Sequence, residues 1–410
     1  MKFTKKILLV SVLIQTFSLH LGAADAAHAA APSIEFLYGE RELYPAALLC
    51  FTEDSPFAPR DPDQLGDPQG VISVSVTAPT ADCQVTVTIK DTIFYEESRV
   101  SCRLPEAGVR YHVAPMLRFR ADRLAAQKQP LANLVVSAQV ELAGERTDIS
   151  TKIVVHSVND CMLRYKARLE AGEIDSNWNV FIKYMTAAYV NENNPWIDQR
   201  LTRHALDQGY VKAFEGYQKD QAGVQQELNA IFQTLTDLGF RYTNFPAASV
   251  AAVNPNLVQV QAIRLVSDSL ESAQANRLEV SLIFASIMRK MAIDSVIILV
   301  PPHSLLGVYR AKGRDPRSLI YLDPRLLGAG SFDAALASGA KLVEENKGNL
   351  VLDVDSSKDV ERSAAEANGF FAIDVRHARD QGILPIPEVR RDFHSSVRDF
   401  VPSASPTTKP

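Results

Sequence analysis

Between about Ile34 and Val158 apolar and polar positions alternate in short runs: "VISVSVTA", "CQVTVTIKD", "YHVAPMLRFRA", "NLVVSAQVEL" and "TDISTKIVVHSV". Period-2 alternation rich in Val, Ile and Thr and broken by Pro, Gly and Asp clusters is the signature of antiparallel strands with one buried face. The expected fold of residues 33–158 is an all-β immunoglobulin-like sandwich. The stretch "EDSPFAPRDPDQLGDPQG", Glu53 to Gly70, carries turn-forming residues throughout and reads as a surface loop.

After Cys161 the period changes to that of helices: "NWNVFIKYMTAAYV", "PWIDQRLTRHALDQG" and "GVQQELNAIFQTLTDLG". The second opens on Pro195 and closes on Gly209, and the third stops at Gly239, as helices tend to do. "QANRLEVSLIFASIMRKM", Gln274 to Met291, follows as a core helix capped by Asn276. Its polar positions Glu279, Ser286 and Lys290 fall on one stripe expected to face solvent, opposite Leu278, Leu282, Ala285 and Met288. "SVIILV", "SLLGVYR" and "SLIYLD" then read as three strands. Residues 163–390 are therefore expected to form an α+β domain, and "VPSASPTTKP" closes a disordered tail over 391–410.

The 410 residues are 46% apolar and 22% charged, with a formal charge of -5 and no basic run. That balance suits sizeable globular cores and gives no electrostatic footprint for nucleic acid. Lys2, Lys5 and Lys6, an apolar run from Ile7 and a small-residue end at Ala27-His28-Ala29 have the layout of a signal peptide over residues 1–29. The break at His20 and Gly22 leaves that run too short to span a bilayer. A periplasmic or secreted protein beginning near Ala30 is the expectation, with no transmembrane span after cleavage and, since no cysteine follows the small residues, no lipid anchor.

Export favours disulfides. The expected pairs are Cys83 with Cys102, which bracket two candidate neighbouring strands, and Cys50 with Cys161, which would tie the ends of the β domain. No C-x2-C pair or His cluster suggests zinc. "DVDSSK" from Asp353 has Lys358 where a calcium loop needs glycine. No metal or cofactor is expected.

Arg277 sits on the first turn of the core helix, where the positive end of the helix dipole disfavours a cation. Downstream, "SLLGVYRAKGRDPRSLIYLD" reads as a hairpin with its loop centred near Gly313, setting His303 opposite Asp323 or one step from it. A His paired with an Asp facing a helix mouth is an acid/base arrangement that lacks a nucleophile.

"QANRLEVSLIFASIMRKMAIDSVIILVPPHSLLGVYR" followed by "IYLDP" resembles the core of the transglutaminase-like superfamily, in particular exported bacterial members. "VNENNPWID", "GYQ", "LGFRYTNF", "VQAIRLVSDSL", "HSVNDC" and "DQGILPIP" resemble the same group, so the similarity runs from about Ser157 to Pro387. It implies a papain-like core in which Arg277 stands at the nucleophilic cysteine position, His303 at the base and Asp323 at the orienting position. Val280 and Pro302 replace two glycines of the pattern. Arginine is never a nucleophile at physiological pH, Ser281 lies a helical turn away, and Ser304 points to the strand face opposite its neighbour His303.

The resemblance implies a catalytically inactive protein, a binding or scaffolding module for an envelope protein, peptide or glycan. An active peptide or amide hydrolase or acyl transferase with another nucleophile, or a structural domain with nothing in the old cleft, are the alternatives. Arg277 is expected to form a salt bridge with Asp323, plugging the cleft, unless it serves as a hook for a carboxylate ligand.

Overall fold

The structure, a computed structural model, describes residues 31–37, 41–56, 64–166, 181–218, 220–244, 257–352, 364–366 and 368–388. The signal-peptide segment, the calcium-like "DVDSSK" and the C-terminal tail lie outside them.

Alternation in the first part becomes two sheets. Strands β1 (Ser33–Phe36), β2 (Glu42–Leu43), β3 (Leu65–Gly66), β4 (Ile72–Thr77), β5 (Cys83–Ile89), β6 (Ser98–Leu104), β7 (Arg110–Ala114), β8 (Leu131–Leu142) and β9 (Glu145–Val155) form a four-stranded sheet, β1-β4-β7-β3, and a five-stranded one, β2-β9-β8-β5-β6. Val85, Val87 and Ile89, at period 2 on β5, are fully buried, as are Ile72, Val74 and Val76 on β4. Within the proline-rich loop β3 pairs parallel with β7, so part of that loop belongs to the sheet. Short helices α1 (Pro45–Cys50) and α2 (Ala121–Ala125) pack on each other.

Neither expected disulfide is present: all four cysteines are free. On the β5/β6 ladder Cys83 lies opposite Leu104 and Cys102 opposite Val85, so the two cysteines are diagonal rather than facing. Diagonal neighbours stand about 7–8 Å apart, beyond comfortable bridging distance. Cys50 and Cys161 are fully buried, and their thiols turn to main-chain carbonyls, those of Ala47 and Met162 respectively.

The second part begins with β10 (Asp160–Tyr165), which pairs with β12 (Val258–Ala262). Where the first expected helix falls on described residues it is a 3-10 segment, Phe181–Tyr189; the second is a π-helical turn, Ile197–Thr202, running into α3 (Arg203–Asp207). Next come α4 (Gln221–Asp237), β11 (Arg241–Tyr242), α5 (Val266–Ser272), β13 (Gln274–Ala275) and α6 (Arg277–Lys290). The third sheet has the order β16-β15-β14-β17, from β14 (Ser295–Val300), β15 (His303–Tyr309), β16 (Leu319–Leu322) and β17 (Phe371–Asp374), with α7 (Phe332–Glu345) against β16.

β14 is a continuous apolar run because both its faces are covered. Ile297 belongs to the core shared with α6, while Val296, Ile298 and Val300 pack under Leu342 and Val343 of α7. The main core is continuous from Leu43 to Ile386, so the two parts share one interior. No helix among the described residues is long and apolar enough to cross a membrane.

α6 is surrounded rather than amphipathic, since every residue from Leu278 to Met288 is buried. The expected solvated stripe therefore survives only at Lys290, which is exposed and pairs with Asp198 at 2.8 Å. Ser286 accepts the Asn191 amide at 2.9 Å, and Glu279 is covered by Arg264. Polar side chains can occupy such a face when each finds a partner.

Candidate functional site: the mouth of helix α6

Asn276 starts α6 as expected. Its extended backbone (φ -76, ψ 177) lets its side chain accept the Glu279 amide, while Glu279 reaches back to the Asn276 amide, a capping box. Glu279 is 2% exposed, and Arg264 supplies its countercharge through Nε at 3.0 Å and Nη2 at 2.8 Å. The cap accounts for the third amide of the helix and leaves those of Arg277 and Leu278 at its mouth.

Opposite this mouth lies the tip of the β14/β15 hairpin. The two-residue turn Pro301-Pro302, with a cis bond between them, sets Val300 opposite His303 and Leu299 opposite Ser304. Arg277 reaches across to the tip. Its Nη1 donates to the Pro302 carbonyl and, at 2.9 Å, to Nδ1 of His303; its Nη2 lies 3.4 Å from Oδ1 of Asn244. No carboxylate among the described residues forms an ion pair with Arg277, so the expected bridge to Asp323 does not form.

This contact fixes the chemistry of His303. A ring nitrogen that accepts from a guanidinium carries no proton, so the imidazole is neutral with its hydrogen on Nε2. The surroundings act in the same direction. Burial, then the charges of Arg325 and Arg277, hold the His303 pKa below the ordinary value, against a smaller opposing pull from Asp323.

Asp323 is spoken for elsewhere. β15 and β16 pair Leu306 with Leu322 and Tyr309 with Leu319, which puts the loop centre near Arg314, at φ 59, rather than Gly313. Extending that register sets Asp323 opposite Leu305, on the same face as His303 but two residues along. Its carboxylate, 1% exposed, caps the 3-10 turn Pro324–Leu326 and takes Arg325 Nε at 3.0 Å, Arg325 Nη2 at 2.6 Å and the Ser338 hydroxyl at 2.7 Å. Arg325 and Ser338 were not legible as site residues in the sequence. The only signal for Arg325 was its position two residues after Asp323, where a capping carboxylate meets both its amide and its guanidinium.

A cleft of about 410 Å³ opens beside Arg277. Leu163, Leu278, Leu299 and Phe371 supply apolar wall, and Asn244, Gln259, Gln261, His303 and Ser304 supply polar groups. Ser304 lies on the strand face opposite that of His303, as the alternation implies, yet both line this cleft at the hairpin tip. Ser281 is fully buried and its hydroxyl donates to the Arg277 carbonyl at 3.1 Å, so it is not held as a nucleophile. Among the described residues no group of three His, Cys, Asp or Glu side chains is placed to hold a metal.

Cys161, the cysteine closest in sequence to the site, is fully buried, and burial pushes its thiol up to about 12. It is not a nucleophile at neutral pH. Compared with known proteins, the chain matches no protein-family model and no curated protein.

Proposed function

We propose that this protein is an exported, catalytically silent relative of the transglutaminase-like enzymes. In this reading its first part is an immunoglobulin-like sandwich and its second a degenerate papain-like domain, kept as a binding or scaffolding module in the cell envelope. One observation carries the proposal: at the position where such an enzyme needs a thiolate beside an imidazole base, the Arg277 guanidinium donates to His303 Nδ1 at 2.9 Å. A permanently charged donor supplies no electron pair for attack and occupies the nitrogen that would otherwise accept a proton. Asp323 is engaged by Arg325 and Ser338 rather than by the imidazole.

The test is activity together with restoration. Purified protein should neither hydrolyse nor cross-link amide substrates, and thiol-directed active-site probes should label no residue of the cleft, any reaction being confined to the half-buried Cys83 and Cys102. Turnover that disappears in His303→Ala would overturn the proposal. Arg277→Cys places a thiol at the helix mouth beside a freed imidazole, and its pKa should fall below the free value of about 8.5. An ordinary or raised value would mean that Val280 and Pro302 have changed the backbone too far for the site to be restored.

A further inference from the structure

We infer that the cleft beside Arg277 binds the C-terminal end of a peptide, taking its free carboxylate on Arg277 and its last, apolar side chain against Leu278, Leu299 and Phe371. The inference rests on the proposed silent cleft, because a peptide held there must not be cut.

Arg277 has donors to spare for an anion. Nη1 of Arg277 is occupied by the Pro302 carbonyl and His303, and Nη2 makes one long contact to Asn244. This leaves Nε–H and one Nη2–H without an acceptor among the described residues. Nε and Nη2 together form an edge of the guanidinium fork that matches a carboxylate, and the long Asn244 contact is the one weak competitor on it. The first amides of α6 add the positive end of a helix dipole at the same mouth.

The nearby carboxylates do not offset these charges. Glu279 is taken by Arg264 and its own cap and does not line the cleft. Asp323 is taken by Arg325.

A separate observation also points to an occupant. Ser304 lines the cleft and is 5% exposed, and its hydroxyl has no hydrogen-bond partner among the described residues. A buried hydroxyl without a partner is costly; its oxygen shows almost no surface to the cleft, so a ligand carbonyl or carboxylate satisfies it once the side chain turns towards the opening. His303 lines the same cleft.

The walls favour a peptide over a sugar acid. Leu163, Leu278, Leu299 and Phe371 make an apolar surface that an alkyl side chain covers. On strand β12 the Gln259 side-chain carbonyl takes Arg164 and the Gln261 side-chain amide donates to the Ala262 carbonyl, which leaves Gln259 Nε2 as a donor and Gln261 Oε1 as an acceptor for a peptide main chain. An acidic sugar would leave the apolar wall facing hydroxyls.

Calorimetric titration of the full chain tests this with three probes: N-acetyl-alanyl-leucine as the free acid, the same dipeptide as its C-terminal amide, and a galacturonic acid trimer. The acid should bind at least tenfold more tightly than the amide and the trimer. Arg277→Ala should abolish the preference for acid, Arg277→Lys should keep part of it, and Ser304→Ala should weaken the acid severalfold. In unmodified protein, adding the acid should also shift the Arg277 Nε–H proton resonance downfield, a readout independent of how the variants fold.

Equal binding of acid and amide, unchanged acid binding by Arg277→Ala, or preference for the trimer would each overturn the inference. The same samples are analysed for leucinamide and ammonia. Cleavage of the amide would overturn the silent cleft itself, whereas absence of both turnover and acid preference would overturn the peptide inference alone.

Discussion

Nη1 of Arg277 and Nδ1 of His303 lie 2.9 Å apart across the gap between a helix mouth and a hairpin tip. The pair joins a group that is always charged to one that must stay neutral to accept from it. The ring's protonation is thereby tied to the arginine. Removing the cation with Arg277→Ala should raise the His303 pKa towards its ordinary value, leaving burial and Arg325 as the remaining causes of depression. Proton NMR titration of the imidazole in both proteins measures this, and an unchanged or lower value in the variant would contradict the pairing.

Much of this arrangement was legible in the sequence, for identifiable reasons. Asn276 as a cap, Gly209 and Gly239 as stops and the runs of β4, β5, β8 and β9 follow from local backbone preferences that tertiary context did not override. Position 277 at the helix mouth was legible for the same reason, whereas the run "SLLGVYR" set the strand start at Ser304, and only the family resemblance put His303 there. The polar face of α6 was misjudged because periodicity counts polar residues and cannot see Arg264 or the Asn191 amide covering them. The Arg277 to Asp323 bridge was misjudged because opposite charge makes a partner plausible but does not say which cation is closer. Arg325, two residues from Asp323 and on the turn it caps, has the shorter reach.

The four thiols carry a second prediction. Denatured without reductant, the protein should take up four equivalents of iodoacetamide. In the folded state Cys83 and Cys102, which are half-buried, should react before Cys50 and Cys161, whose thiols are pushed up by burial. Protein recovered from an oxidising compartment with fewer than four free thiols would show that the cysteines pair there.

At the junction of the two parts His156 lies between two buried carboxylates, with Nε2 3.0 Å from Glu42 and Nδ1 3.4 Å from Asp160, and stacks on Tyr44 at 4.2 Å. Burial alone would lower its pKa, but hydrogen bonds and charges from Asp160 and Glu42 outweigh that and raise it above 6.5. A histidine raised in the folded state adds stability that is complete below its unfolded pKa and fades as pH rises through the folded one. Urea unfolding between pH 6 and 9 should therefore show a loss of stability with rising pH, smaller in His156→Gln. Identical pH dependence in the two proteins would refute a charged His156.

The last prediction separates the two arginines near Asp323 by double-mutant cycles. Asp323 is 1% exposed, and although burial works to raise its pKa, Arg325, Ser338 and the Arg325 amide hold it below the usual carboxylate range. Arg325→Ala leaves that charge buried without its cation and should cost on the order of 3 kcal/mol at neutral pH, reduced by the remaining Ser338 bond. Asp323→Asn removes the stranded charge, so Arg325→Ala should cost much less in its presence, a coupling of at least about 1 kcal/mol. The cycle of Arg277→Ala with Asp323→Asn should be additive within about 0.5 kcal/mol, because those side chains share no hydrogen bond. A depressed carboxylate contributes stability above its unfolded pKa and loses it as pH falls through the folded value, so the Arg325 contribution should fade on acidification. Strong coupling of Arg277 to Asp323, with none for Arg325, would restore the plugged cleft and remove the free guanidinium edge on which ligand binding depends.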